Sequence, residues 1–122
     1  MDSQEYLALP VVVSAPAEID ACNAAELGAV LLAANGSGVA VVVDMSQTVF
    51  CDSVGISALV QARHRAVAGG GELRLVVTGA SVLRIFAVTG VDQLFPVFAS
   101  LPDALAARPA PSPPAAHLEP CL

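Results

Sequence analysis

Residues Val39–Ala58 read VAVVVDMSQTVFCDSVGISA, and the fold is decided there. Val39 to Val43 is an unbroken apolar run dominated by β-branched valine, the pattern of a strand covered on both faces, and Asp44 ends it. After a connector from Met45 to Cys51, Ile56, Leu59 and Val60 recur at helical spacing and are followed by polar Gln61, Arg63, His64 and Arg65. A buried strand therefore feeds an amphipathic helix of about three to four turns. Asp52 and Ser53 fall where that helix needs an N-cap, since a side-chain oxygen there accepts from the unpaired amides of the first turn. Of the two, we read Ser53 as the cap.

Ser53 has two readings. In one it is a capping serine and nothing more. In the other, the free N–H groups and positive dipole end of the helix accommodate a phosphate, and Ser53 is a phosphorylation site. Gly55 removes a side chain from the same corner; it is either a harmless first-turn glycine or a gap through which a partner's backbone approaches.

Working outward, Pro10 to Ser14 reads as a strand with Val11, Val12 and Val13 as its core, and Ala15-Pro16-Ala17 breaks it. Asp20 can cap a helix from Ala21 to Ala34 with Leu27, Val30 and Leu31 on one face, and Asn35-Gly36-Ser37-Gly38 terminates it. Gly69-Gly70-Gly71 ends the second helix. Leu73, Leu75 and Val77 then alternate along a strand, and Ser81 starts a short helix with Val82, Ile85 and Phe86 facing inward. Leu94 to Phe98 reads as a last strand, and Pro102 to Ala107 as a short helix with Ser100 or Leu101 near its start. Residues 108–122 are proline-rich without an apolar period, which predicts a disordered tail after one domain spanning residues 1–107. Strands alternating with helices give an α/β domain with a mainly parallel or mixed sheet.

At 122 residues and 56% hydrophobic, the chain has the size and apolar content of a single domain with a compact core. Its apolar runs are too short to span a bilayer and no basic leader precedes one, so a cytoplasmic protein without membrane insertion is expected. Net charge is −6 with no lysine, and the five arginines cluster only at Arg63-His64-Arg65, which argues against nucleic-acid binding and for a partner with a basic face. Cys22, Cys51 and Cys121 lack metal-ligand spacing, and their odd number argues against a disulfide framework. Cys51, just before the helix, is either a thiol of dipole-lowered pKa or a small buried apolar side chain.

No catalytic constellation is evident and no cofactor is implied. His64 lies 11 residues beyond Ser53 on the same helix. At 1.5 Å per residue that is roughly 16 Å, too far for a Ser53/His64/Asp52 triad. The glycines at Gly69 to Gly71 are not followed by Gly-Lys-Ser/Thr, so they form a turn rather than a phosphate loop.

Asp52-Ser53-Val54-Gly55-Ile56, behind the strand Val39 to Asp44 and Phe50, resembles the signature of the STAS domain family of bacterial anti-sigma factor antagonists. Glu18-Ile19-Asp20 is similar to the Glu-Leu-Asp that opens the family's first helix. Gly69-Gly70-Gly71-Glu72-Leu73, Val82-Leu83-Arg84-Ile85-Phe86 and Thr89-Gly90-Val91 also fit in register, so the likeness spans Leu9 to Leu105. Val54 departs from the Ser or Thr frequent after the family's phospho-accepting serine, and the leader Met1 to Leu9 is short for the usual first strand. The resemblance implies a STAS-type α/β single domain with a mixed sheet of four to five strands and helices packed mainly on one face. It also implies Ser53 as the phosphorylated residue, and Asp20, Asp52, Ser53, Val54, Gly55 and Ile56 as the surface docking on an anti-sigma factor with serine kinase activity. A serine phosphatase would reset the site. A permanent docking subunit of a stress-signalling complex or lipid-transport ATPase is the alternative role, and a small-molecule binder or enzyme a remoter one.

Overall fold

The valine run becomes a central strand of a parallel sheet. The computed structural model describes residues 10–35 and 40–107. In chain order the elements are β1 (Val11–Ser14), β2 (Glu18–Ile19), α1 (Ala24–Ala34), β3 (Ala40–Met45), β4 (Phe50–Cys51), α2 (Ser53–Ala68), β5 (Glu72–Val77), α3 (Ala80–Thr89), a 3₁₀ turn at Val91–Gln93, β6 (Val97–Phe98) and α4 (Leu101–Ala106). Four strands lie in the order β1-β3-β5-β6, and β2 pairs with β4 in a separate two-stranded sheet. Every pairing among the described residues is parallel, with Val42 opposite Val12 on one side and Arg74 on the other. The leader before Pro10, the loop glycines Gly36 and Gly38, and the expected tail at 108–122 lie outside the described residues.

Because successive side chains of a strand point to opposite faces, β3 serves two cores. Val41, Val43 and Met45 enter the main core with Leu27 and Leu31 of α1, Leu59, Ala62 and Ala66 of α2, and Val82 and Phe86 of α3. Val42 joins Val76 and Ala104 in a smaller core that α4 covers on the opposite face. Three helices on one face and a six-residue helix on the other match the expected arrangement.

Several local expectations are corrected. The first helix begins at Ala24, not Ala21, because the Asp20 carboxylate accepts from the Cys22 N–H (2.9 Å) and closes a turn instead of capping. Asn23 locks that turn, accepting from the Asp20 N–H (3.0 Å) and donating to the Glu18 carbonyl (2.7 Å). Val30 is exposed; the buried stripe of α1 is Ala24, Leu27 and Leu31. Val11 and Val12 are also exposed, since β1 lies at one edge of the four-stranded order. The last strand is only Val97–Phe98: Leu94 follows the 3₁₀ turn, and the Pro96 carbonyl accepts from the Leu75 N–H at 3.0 Å. The terminal helix, Leu101–Ala106, starts and ends one residue earlier than read, with Ser100 as its cap accepting from the Asp103 N–H at 3.2 Å.

Arg74, which alternates with Leu73 and Leu75 as an outward residue would, is 1% exposed. Its Nε donates to Glu72 and its Nη1 to the Ala104 carbonyl, so the guanidinium ties β5 to α4. Gly70, at φ +87°, ends α2 in the left-handed region: its N–H reaches the Val67 carbonyl and the Gly71 N–H reaches that of Ala66, the paired bonds of a Schellman stop.

Candidate functional site

The site is assembled where the two-stranded sheet meets the start of α2. Ile19 of β2 lies opposite Cys51 of β4, and the next amide along, that of Asp52, donates to the Ile19 carbonyl at 3.0 Å. Asp52 is extended (φ −89°, ψ −175°), and its Oδ1 accepts from the Gly55 N–H at 3.0 Å while its carbonyl accepts from the Ile56 N–H at 2.9 Å. Asp52 is therefore the N-cap. That corrects the sequence reading, in which Ser53 held the position.

Ser53 is instead the first residue of α2. It is exposed, and its hydroxyl has no hydrogen-bond partner among the described residues. A hydroxyl relieved of capping on a helix N-terminus can be phosphorylated without breaking any bond that holds the helix.

Gly55 is buried, and the gap it leaves is filled from within. A Cβ at this position would lie 2.7 Å from Ile19 Cγ2 and 2.9 Å from Cys51 Sγ. The close approach that requires glycine is between α2 and β2, so the expectation that the gap admits a partner's backbone is corrected. Ile56 is partly buried against the main core. Val54 is exposed, and with it Phe50 and Val49, of which the sequence reading did not single out Val49, make an apolar rim. Within β4, Phe50 turns outward and Cys51 inward.

The connector carrying that rim is tied down by three hydrogen bonds, two to the Pro16-Ala17 segment and one to α3. Buried Thr48 donates its hydroxyl to the Pro16 carbonyl (2.8 Å), the Val49 amide donates to the Ala17 carbonyl (2.8 Å), and the Ser81 hydroxyl of α3 donates to the Val49 carbonyl (3.1 Å). Asp20 follows Ile19 as Asp52 follows Cys51, so the parallel β2–β4 pairing brings both aspartates to the same end of the two strands, the end at which α2 starts with Ser53.

Burial pushes the Cys51 thiol up to about 11, and the neighbouring Asp52 charge adds to the effect. The dipole-lowered alternative for Cys51 is thereby corrected: at 1% exposure it packs as a small apolar side chain. His64 is exposed on α2. Among the described residues no group of three or more His, Cys, Asp or Glu side chains could hold a metal ion, and no helix is long and apolar enough to cross a membrane. A groove of about 230 Å³ runs between α1 and α2, lined by Ala24, Gly28, Leu32, Ala58, Gln61 and Arg65 among others, and does not include Ser53.

The family model of the STAS domain matches residues 3–104. The chain belongs to the STAS domain family. Among solved structures, this STAS domain is similar to an anti-sigma factor antagonist from Mycobacterium paratuberculosis, at 33% identity and a TM-score of 0.69 over 77% of this chain and 80% of that one. An anti-sigma-factor antagonist (STAS) domain protein from Planctomyces limnophilus shares the fold at 23% identity and a TM-score of 0.68, over 77% and 85% of the two chains. A search of the curated proteins finds no match.

Proposed function

We propose that this STAS domain is an anti-sigma factor antagonist of a partner-switching pathway. Unphosphorylated, it binds an anti-sigma factor with serine kinase activity and frees a sigma factor; phosphorylation at Ser53 ends that binding. The observation carrying the reading is the exposed, uncommitted Ser53 hydroxyl at the head of α2, with apolar Val49, Phe50 and Val54 exposed near it. The similarity to the mycobacterial antagonist supports the choice of partner.

The switch follows from charge. Phosphorylation adds about 1.5 to 2 negative charges directly after Asp52, at the end of the β2–β4 pair that also carries Asp20. An apolar interface covering this rim would have to desolvate that charge beside two carboxylates, and like-charge juxtaposition there costs several kcal/mol, each ~1.4 being tenfold in affinity. The α2 helix need not refold, since Asp52 keeps the cap. The protein acts as a binding module of the cytoplasm, without cofactor or nucleic acid, and the phosphoryl-transfer machinery belongs to the partner, with a serine phosphatase resetting the switch.

Affinity capture from the native cells with Ser53→Ala and Ser53→Asp baits tests this. The Ala form is expected to retain an ATP-binding anti-sigma factor that the Asp form releases. Equal retention by both, together with stable co-purification of an ATPase subunit, would instead make this face a permanent docking surface of a larger assembly.

A further inference from the structure

Asp52 and Ser53 are both good N-caps, so α2 has two possible starting frames. In the observed frame Asp52 caps and accepts from the Gly55 N–H at 3.0 Å. In the frame shifted by one residue Ser53 would cap, its Oγ accepting from the Ile56 N–H. Only the first frame leaves the Ser53 hydroxyl free.

We infer that Asp52 is a positioning residue for Ser53: by supplying the N-cap it keeps the serine hydroxyl out of the helix and open to a phosphoryl donor. The inference rests on the proposed function and names how that site is controlled. Three features hold the observed frame. The Asp52 amide is fixed to the Ile19 carbonyl at 3.0 Å, its carboxylate faces the positive end of the α2 dipole, and Gly55 is wedged beneath Ile19 and Cys51. Without the carboxylate, Gly55 N–H loses its acceptor and Ser53 Oγ becomes the nearest side-chain oxygen able to serve the first-turn amides.

Phosphoryl transfer needs an Oγ lone pair aimed at the γ-phosphorus of the kinase-bound ATP. The Oγ–P bond forms, the bond from that phosphorus to the β–γ bridging oxygen breaks, ADP leaves, and the hydroxyl proton passes to a base of the kinase. A serine turned inward to accept from the helix presents that lone pair to its own backbone instead.

The test compares Asp52→Ala with Asp52→Asn, because asparagine keeps the Oδ1 acceptor and loses only the charge. Both variants and the wild type, checked for folding by circular dichroism, are incubated with ATP and the kinase fraction of the native cells, and phosphate at Ser53 is timed by mass spectrometry. Because both variants lack the carboxylate charge that also faces the docking partner, the cap bond is read from the difference between them: a bond of typical strength predicts a kcat/KM lower by about fivefold or more for Asp52→Ala than for Asp52→Asn. Gly55 amide exchange, read by NMR on unmodified protein, should be slow in wild type and Asp52→Asn and faster by about the same factor in Asp52→Ala. The inference is overturned if Asp52→Ala is phosphorylated at the wild-type rate, if Asp52→Asn falls as far as Asp52→Ala, or if Gly55 stays protected in Asp52→Ala. A wild type never labelled at Ser53 instead defeats the functional reading, while the exchange measurement still judges the cap.

Discussion

Adding one methyl group at Gly55 tests the packing that holds Ser53 in place. In Gly55→Ala the new Cβ would sit 2.7 Å from Ile19 Cγ2, 2.9 Å from Cys51 Sγ and 3.2 Å from the Ile19 carbonyl oxygen. Ordinary carbon contacts lie near 3.5 to 4.0 Å, so neighbours must retreat by up to about 1 Å. Ile19 and Cys51 are 0% and 1% exposed and paired in the β2–β4 ladder, so neither can swing into solvent. Overpacking costs about 1 to 3 kcal/mol, and two contacts under 3 Å with buried neighbours put this one at about 2 to 3, against at most about 1 gained from the better helix propensity of alanine. The net expectation is a loss of about 1 to 2 kcal/mol, which for a domain of this size lowers Tm by roughly 4 to 16 °C. Gly28→Ala is the matched control: its Cβ meets nothing within 4 Å, so the same change within α1 should raise stability by about 0.5 to 1 kcal/mol. Thermal and urea unfolding followed by circular dichroism measure both. Adding Cys51→Ala to Gly55→Ala removes one of the two closest contacts, so the double mutant should lose less than the sum of the single losses. A Gly55→Ala protein as stable as wild type, or an additive double mutant, would refute the claim that α2 is wedged against β2.

Arg74→Ala removes the buried guanidinium that joins Glu72 to the Ala104 carbonyl; a loss of about 3 to 5 kcal/mol is expected by urea unfolding, with Arg74→Met milder because it refills the volume. Ser100→Ala should cost about 1 kcal/mol in the same assay by removing the cap of α4. Cys51, whose folded pKa is raised from 9.0 to about 11, stays protonated longer in the native state than in the unfolded chain. The stability this contributes is complete below pH 9 and is lost as pH rises through 11, by about 2 to 3 kcal/mol in all. Urea unfolding across that window should therefore show a steeper loss for wild type than for Cys51→Ala.

The strand and helix of Val39–Ala58 were legible because their apolar periods differ, and the glycines at 69–71 marked the end of α2 without ambiguity. The cap itself was not. Asp and Ser are near-equal N-caps, and periodicity cannot place a boundary to one residue; what decided it was the amide of Asp52 bonding to Ile19, a contact 33 positions away in sequence. The β2–β4 pair was invisible for a related reason, since two-residue strands are too short to show alternation, and with them went the true neighbours of Gly55. The burial of Arg74 was not read from the sequence, where a charged residue defaults to solvent. The counter-signal was Val76, two residues on and on the same face, which meets Ala104 of α4 in the smaller core. Asp20 has the composition of a cap but spends its carboxylate on the Cys22 amide, so the turn took precedence over the helix.

The central claim is that Ser53 is the switch, and intact-mass and fragment mass spectrometry of the protein taken from its native cells, with and without stress, tests it most directly. The account predicts a single phosphate on Ser53 whose occupancy changes with conditions. A Ser53 that stays unmodified under every condition, or a phosphate placed elsewhere, would contradict it.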